Sequence, residues 1–486
     1  MLFNSYQFIF LFLPFTLIVY FVLNKRKLTL ASKAWLTLAS LFFYGWWNPI
    51  YIPLIVGSIL FNYAIGTLSA KKMGFWSDSK KKTVLIIGIV GNLGLLCYFK
   101  YTDFFISNMN YLVKSNIELT HIILPLGISF FTFTQIAYLV DTYKGKVNEY
   151  SFLNYSLFVT FFPHLLAGPI IHHKEMMPQF DRLRNKVLNY KNLAQGIYLF
   201  SMGLSKKIAL ADTFAVWANK GFDETAILPF FHAWITSLSY TLQLYFDFSG
   251  YTDMALGTAM MFNIKLPANF NSPYKSLNIQ DFWRRWHITL SRFLRDYIYI
   301  PMGGNRVSEA RTLLNLMVTF LIGGLWHGAG WTFIFWGFLH GIASVIHRLW
   351  GKLNINIPKF LAWFITFNFV NIAWVFFRAK TLEDAINVLK GMFGMSGFVL
   401  PPRLAIRLGF LKAYGVEFGQ WLGGKASRMT VPVILVFLLF VLLFRNSNEI
   451  IEKFKPNWKN AIFVSIVIVM FCFSLNKTSE FIYFNF

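Results

Sequence analysis

Apolar runs recur from one end of the chain to the other, and this pattern constrains the fold more than any motif. They cover roughly 6–23, 34–46, 51–68, 84–99, 122–140, 193–210, 233–262, 313–326, 331–346, 360–377, 431–444 and 461–475. At roughly 20 residues per span they predict about a dozen membrane-embedded segments. Backbone in lipid must satisfy its own hydrogen bonds, so the expected fold is an all-α integral membrane protein. Composition agrees: of 486 residues, 56% are hydrophobic and only 14% charged, which excludes disordered, fibrous and ordinary soluble chains. A single membrane domain over 1–486 is expected.

Charge sets the expected orientation. Lysine and arginine number 45 against 21 acidic residues, a balance of +24. In a membrane protein that excess belongs in cytoplasmic loops facing anionic lipid, with no nucleic acid implied. Lys25, Arg26 and Lys27 follow the first run instead of preceding it, which predicts a retained span with its N-terminus outside. Lys453, Lys455 and Lys459 precede the final span and place the C-terminal tail on the same outer side. Between 152 and 171, Pro163 and Gly168-Pro169 interrupt an apolar segment with basic flanks at both ends. A re-entrant hairpin lining a cavity and a kinked ordinary span both fit it. The stretch 379–429 reads as loops with short interfacial helices. Cys97 and Cys472 both lie in apolar runs, which points away from a disulfide framework or thiolate metal site.

Polar groups that lipid should exclude are where function is expected. In Asp281-Phe-Trp-Arg-Arg-Trp-His287, continued to Arg295, helical spacing puts Arg284, His287, Ser291 and Arg295 on one face. With Arg285 beside them, these residues suit a phosphate or a developing oxyanion. The same segment also fits an amphipathic helix lying on anionic lipid. His327 interrupts a second apolar region among Gly323, Gly324, Gly328 and Gly330, which are expected to clear space for a ligand. Burial disfavours an imidazolium, so His327 is expected to be a neutral base able to take a proton from a hydroxyl. Asp247 and Asp253 are six residues apart, about 600° of helical rotation, so each needs its own partner. They read as structural anchors paired with nearby arginines, or as the proton relay of a transporter. His164, His172 and His173 lack metal-site spacing, and no metal is expected.

In this order the motifs resemble the membrane-bound O-acyltransferases (MBOAT), in the bacterial branch serving alginate and peptidoglycan. The resemblance rests on Met1-Leu-Phe-Asn-Ser-Tyr-Gln-Phe, Pro125-Leu-Gly-Ile-Ser-Phe-Phe-Thr-Phe, Phe162-Pro-His-Leu-Leu-Ala-Gly-Pro-Ile, Phe246-Asp-Phe-Ser-Gly-Tyr-Thr-Asp, Asn269-Phe-Asn-Ser-Pro-Tyr, Asp281-Phe-Trp-Arg-Arg-Trp-His, Gly324-Leu-Trp-His-Gly and Trp374-Val-Phe-Phe-Arg. It implies a polytopic helical ring with re-entrant hairpins and a central tunnel. It also implies catalysis at His327, a second functional histidine at His287 and a structural polar role for Asn269. His164 departs from the amide expected in its motif. The implied reaction takes acetyl from a cytoplasmic thioester, with acetyl-CoA as donor substrate and no bound cofactor. An extracytoplasmic SGNH-type O-acetyltransferase would receive the group, and the chain would sit in a bacterial inner membrane.

The tail Phe481-Ile-Tyr483-Phe-Asn-Phe486 reads as an interfacial aromatic belt. It also resembles the acyl-carrying tail of a small partner protein in teichoic-acid D-alanylation. On that resemblance 461–486 is a final transmembrane helix plus a tail whose Tyr483 carries the acyl group. A phenol needs a neighbouring base to become a nucleophile, and His327 would supply it. The rival from another class is a secondary transporter or flippase coupled through Asp247 and Asp253. A scaffold docking a soluble transferase is a third reading.

Overall fold

A computed structural model describes residues 1–70, 76–147, 149, 151–420, 427–473 and 481–482. The chain divides into two compact units. The first comprises Met1–Leu204, Tyr251–Ala268 and the described residues from Lys453 onward; the second comprises Ser205–Gly250 and Asn269–Glu452.

The first unit is built from helices that are apolar outside and selectively polar inside. Along its opening helical stretch Leu11, Phe15 and Ile18 are exposed while Phe8, Phe12, Tyr20 and Asn24 are buried. That inside-out arrangement suits a lipid solvent, where packing and interhelical hydrogen bonds hold helices together. Asn62 of Ile52–Ser69 donates to Asn92 of Asp78–Val113 at 3.1 Å. Gln135 of Ile128–Tyr143 donates to Ser58 at 3.0 Å and accepts from the Tyr155 hydroxyl at 3.0 Å. The segment with Pro163 is broken as its sequence implies: Phe152–Thr160 is helical, Phe161 leaves helical geometry, and Phe162–Leu165 resumes for one turn. Residues 155–173 are buried in protein throughout, which is what allows irregular backbone at membrane depth.

In the second unit a helical hairpin, Glu309–His327 and Trp331–Trp350, carries the catalytic candidate at its tip. Lys359–Arg378 and Ile279–Arg285 pack against Trp331–Trp350, and Ile288–Leu294 follows with Leu294 beside Gly323. The stretch expected as loops holds the helix Leu382–Met392, closed by a capping box between Thr381 and Asp384. It also holds two three-residue parallel strands, Phe398–Leu400 and Val416–Phe418, a small departure from an all-helical chain.

Among the described residues four helical stretches are long and apolar enough to cross a membrane: Gln7–Lys25, Pro49–Ser69, Asp78–Val113 and Lys359–Arg378. Met429–Leu443 and Trp458–Phe473 are shorter apolar helices. Other apolar runs became helices such as Thr29–Gly45 and Ile128–Tyr143, of 17 and 16 residues, below the roughly 20 that a full perpendicular crossing needs.

Candidate active site

The segment of arginines and histidine is not one helix. Ile279–Arg285 ends at Trp286, which is extended, and His287 adopts left-handed geometry at φ 43° before Ile288–Leu294 begins. A non-glycine residue in that region is strained, and such strain is held only where surrounding contacts over-determine it. Here Asn269 supplies them: its Oδ1 accepts from the Thr289 N–H at 3.1 Å, the Thr289 hydroxyl at 2.8 Å, and lies 3.3 Å from His287 Nδ1. The backbone N–H of Ile288 also donates to the Asn269 carbonyl at 3.0 Å. The break separates the residues expected to share a face. Arg284, Ser291 and Arg295 line one cavity, while His287 lies behind it, fully buried. Burial pushes the His287 imidazole down to about 3.

That cavity holds about 840 Å³. Its lining runs from exposed Arg284, Arg295, Ile300 and Asn305 to buried Leu290, Leu294, Gly323, Trp336 and His327. His327 ends its helix against Trp326, Trp336 and Phe377, with ring centroids 4.9, 5.1 and 5.1 Å away. The His287 ring is 6.4 Å from it, so the tertiary fold brings the two sequence-predicted histidines together. Ser291 Oγ is buried in the lining with no protein hydrogen-bond partner among the described residues.

The glycines act differently from the expectation. A Cβ on Gly324 would fall on the Phe333 carbonyl and lie 3.1 Å from Gly337 Cα, and one on Gly328 would fall on the Phe333 ring. These glycines let the two helices of the hairpin approach closely and clear no ligand space. Gly323 alone of the four lines the cavity; its added Cβ would meet only Leu294 Cδ1, at 3.2 Å.

The cationic mouth was read only partly from sequence. Arg285 turns away to Asp281 at 2.9 Å and to the Asn271 carbonyl, outside the lining. In its place Arg292, His347 and Arg348 join Arg284 and Arg295. Arg348 makes a two-pronged bond to Glu309 at 2.9 and 3.0 Å, and Lys352 reaches the same carboxylate at 3.0 Å. The hydrogen bonds from Arg348 and Lys352 hold Glu309 down at about 2. Burial first, then the Arg284 charge, lowers His347 below the ordinary histidine value. His347 and Arg348 lie 63 and 64 residues beyond Arg284, so only folding reveals that they share its cavity.

A further histidine escaped sequence reading. His340 is fully buried, and its Nδ1 lies 3.2 Å from the indole N–H of Trp283, a cavity-lining residue. It is one helical turn beyond Trp336, a spacing that could have flagged it.

Asp247, 1% exposed, pairs with a lysine: Lys207 Nζ lies 2.8 Å from it and 3.1 Å from Asp212. Lys207 is presented by a π-helical turn, Lys206–Ala211. Asp253 is buried in the first unit. In that unit His164 Nε2 bonds the Phe158 carbonyl at 2.9 Å, while His172 and His173 face Asp141 and Glu149. Among the described residues no cluster of metal-ligating side chains occurs. Tyr483 lies outside the described residues.

Helices with lipid-suited exteriors and a buried histidine lining a cation-mouthed cavity are the features of a membrane protein with an enclosed polar site. The model of the membrane-bound O-acyltransferase family matches residues 17–382, and the chain belongs to that family. It is 49% identical to the peptidoglycan O-acetyltransferase of Helicobacter pylori over 100% of this chain and 98% of that protein. It is 41% identical to a probable alginate O-acetylase, AlgI, of Pseudomonas aeruginosa, over 82% of this chain and 76% of that one. A teichoic acid D-alanyltransferase of Bacillus subtilis is 29% identical over 52% of this chain and 69% of its own length.

Proposed function

We propose that this acyltransferase takes an acetyl group from a cytoplasmic thioester, acetyl-CoA, and passes it across the inner membrane for O-acetylation of peptidoglycan. The observation that carries the reading is the cavity joining exposed arginines to buried His327. Guanidinium groups at the mouth suit the donor's phosphates, and the apolar inner lining suits its acyl thioester. The end-to-end likeness to a protein named peptidoglycan O-acetyltransferase supports that polymer over alginate.

In this mechanism His327 takes the proton of an attacking hydroxyl as its oxygen adds to the thioester carbonyl. The C–S bond breaks, a C–O ester bond forms, and the proton leaves with the thiolate sulfur as a thiol. In this scheme Ser291 and Arg284 steady the negative charge on the carbonyl oxygen, and His287 assists His327 in accepting the proton. The Tyr483 hydroxyl is the first acceptor in this scheme, and an extracytoplasmic SGNH-type transferase then receives the acetyl group from the acyl-tyrosine. Both chain termini lie outside on this reading. Pairing of Asp247 with Lys207 supports a structural anchor over a transporter's proton relay.

Acetate released by mild base from purified peptidoglycan tests the polymer. A deletion strain should lose it, restored by the wild-type chain and not by Tyr483→Phe expressed at equal level. Unchanged peptidoglycan acetate with loss from an exopolysaccharide would reassign the acceptor, and full restoration by Tyr483→Phe would reduce the tail to an anchor.

A further inference from the structure

The role of Asn269 follows from which atoms can only donate. The Thr289 backbone N–H has no acceptor capacity, so the Asn269 side-chain atom 3.1 Å from it is the amide oxygen. That oxygen also lies 3.3 Å from His287 Nδ1, and an oxygen cannot donate there. The proton of a neutral His287 therefore sits on Nδ1, and Nε2 carries the lone pair. Asn269 is fully buried, and its Nδ2 has no protein hydrogen-bond partner among the described residues. An aspartate would satisfy the same three donors equally well, so hydrogen bonding alone does not call for an amide. Charge does, because a carboxylate against Nδ1–H favours the imidazolium, whereas an amide orients the ring and leaves it neutral.

We propose that Asn269 is a positioning residue for acyl transfer, holding His287 as the neutral Nδ1–H tautomer so that Nε2 is available to accept a proton beside His327. This deepens the proposed function and rests on it, since it needs His287 to matter for the reaction. Burial lowers the His287 imidazole in the same sense, toward the neutral form. His327, from the end of Glu309–His327, packs against His287 among the described residues, as do the rings of Phe248 and Trp326.

The test uses the purified full-length protein with acetyl-CoA as probe, following thiol release across the pH range in which each variant stays folded. Asn269→Asp should retain activity at high pH, with the acidic limb of its rate profile moved upward by about one unit or more. Asn269→Leu should lose about tenfold or more in kcat at every pH with KM little changed. A role limited to capping Thr289 would leave the Asn269→Asp profile where the wild type has it, and that result would overturn the proposal. His287→Ala separates the two levels. If it keeps the full rate, the reading of His287 itself fails; if it is inactive while Asn269→Asp titrates like wild type, only the role of Asn269 fails. Nitrogen-15 shifts of labelled histidine in the unmodified protein, assigned by difference against His287→Gln, give an independent check. They should show the proton on Nδ1, and a bare Nδ1 would refute the assignment even if Asn269→Asp cannot fold.

Discussion

Two groups of buried histidines in this chain are dressed in opposite ways. In the first unit His172 Nδ1 lies 3.4 Å from Asp141 and His173 Nε2 lies 3.3 Å from Glu149. Burial pushes the Glu149 carboxyl up, but hydrogen bonds from His173, the Ser151 N–H and Asn154 outweigh it and leave it below the ordinary value. In the second unit His287 faces an amide and His327 is edged by tryptophan and phenylalanine rings. A carboxylate partner supplies negative charge beside an imidazole and anchors it; amides and aromatic rings orient the ring without supplying charge, which suits a base. Both groups are buried, so burial does not separate them; their partners do.

The sharpest break of that contrast is to remove one histidine from each group. His327→Ala should lower thiol release from acetyl-CoA by about 10²- to 10⁴-fold with thermal stability little changed. His173→Ala should do the reverse: the rate per folded molecule holds, while leaving Glu149 without its partner costs about 1–3 kcal/mol, read as a lower unfolding midpoint in detergent. Equal loss of rate in both variants would erase the distinction.

Lys207→Met extends the comparison to a buried ion pair. It removes the lysine that Asp247 and Asp212 share, and breaking a buried ion pair costs about 3–5 kcal/mol, visible as loss of folded protein. A stable Lys207→Met protein that had lost only activity would favour a functional role for Asp247.

Adjacent glycines sharpen the contrast between packing and lining. Gly324→Ala should destabilise the helical hairpin by about 1–3 kcal/mol, because its methyl group meets backbone. Gly323→Ala should fold normally and change the KM for acetyl-CoA severalfold, since its methyl group enters the cavity wall. Unfolding midpoints and steady-state kinetics of both variants check this.

The smallest expected effect is a pH dependence of donor binding. Burial and then the Arg284 charge hold His347 below the ordinary histidine value, so it gains its proton only at lower pH than a free imidazole does. Each protonation adds positive charge at the mouth, so KM for acetyl-CoA should fall modestly with falling pH. His347→Phe should flatten that trend; an identical trend in the variant would assign it elsewhere.

Much of this site was legible because a polar residue in an apolar run is conspicuous. His327, Arg284, Ser291 and Arg295 stand out that way, and all four line the cavity. What misled was continuity: helical periodicity run through 284–295 passes straight over the left-handed residue at His287, since nothing in the local pattern announces positive φ at a histidine. His347 and Arg348 were hidden by distance along the chain. The glycines were visible, but a glycine that admits a ligand and one that admits a helix look the same in sequence.

By itself the sequence determined the solvent, the helical class and the family, because hydropathy and ordered motifs are properties of short stretches. Tertiary structure alone decided which histidine meets an amide and which a carboxylate, which arginines share a mouth, and which glycine faces a cavity. Those outcomes depend on contacts between segments tens to hundreds of residues apart, and local periodicity carries no information about them.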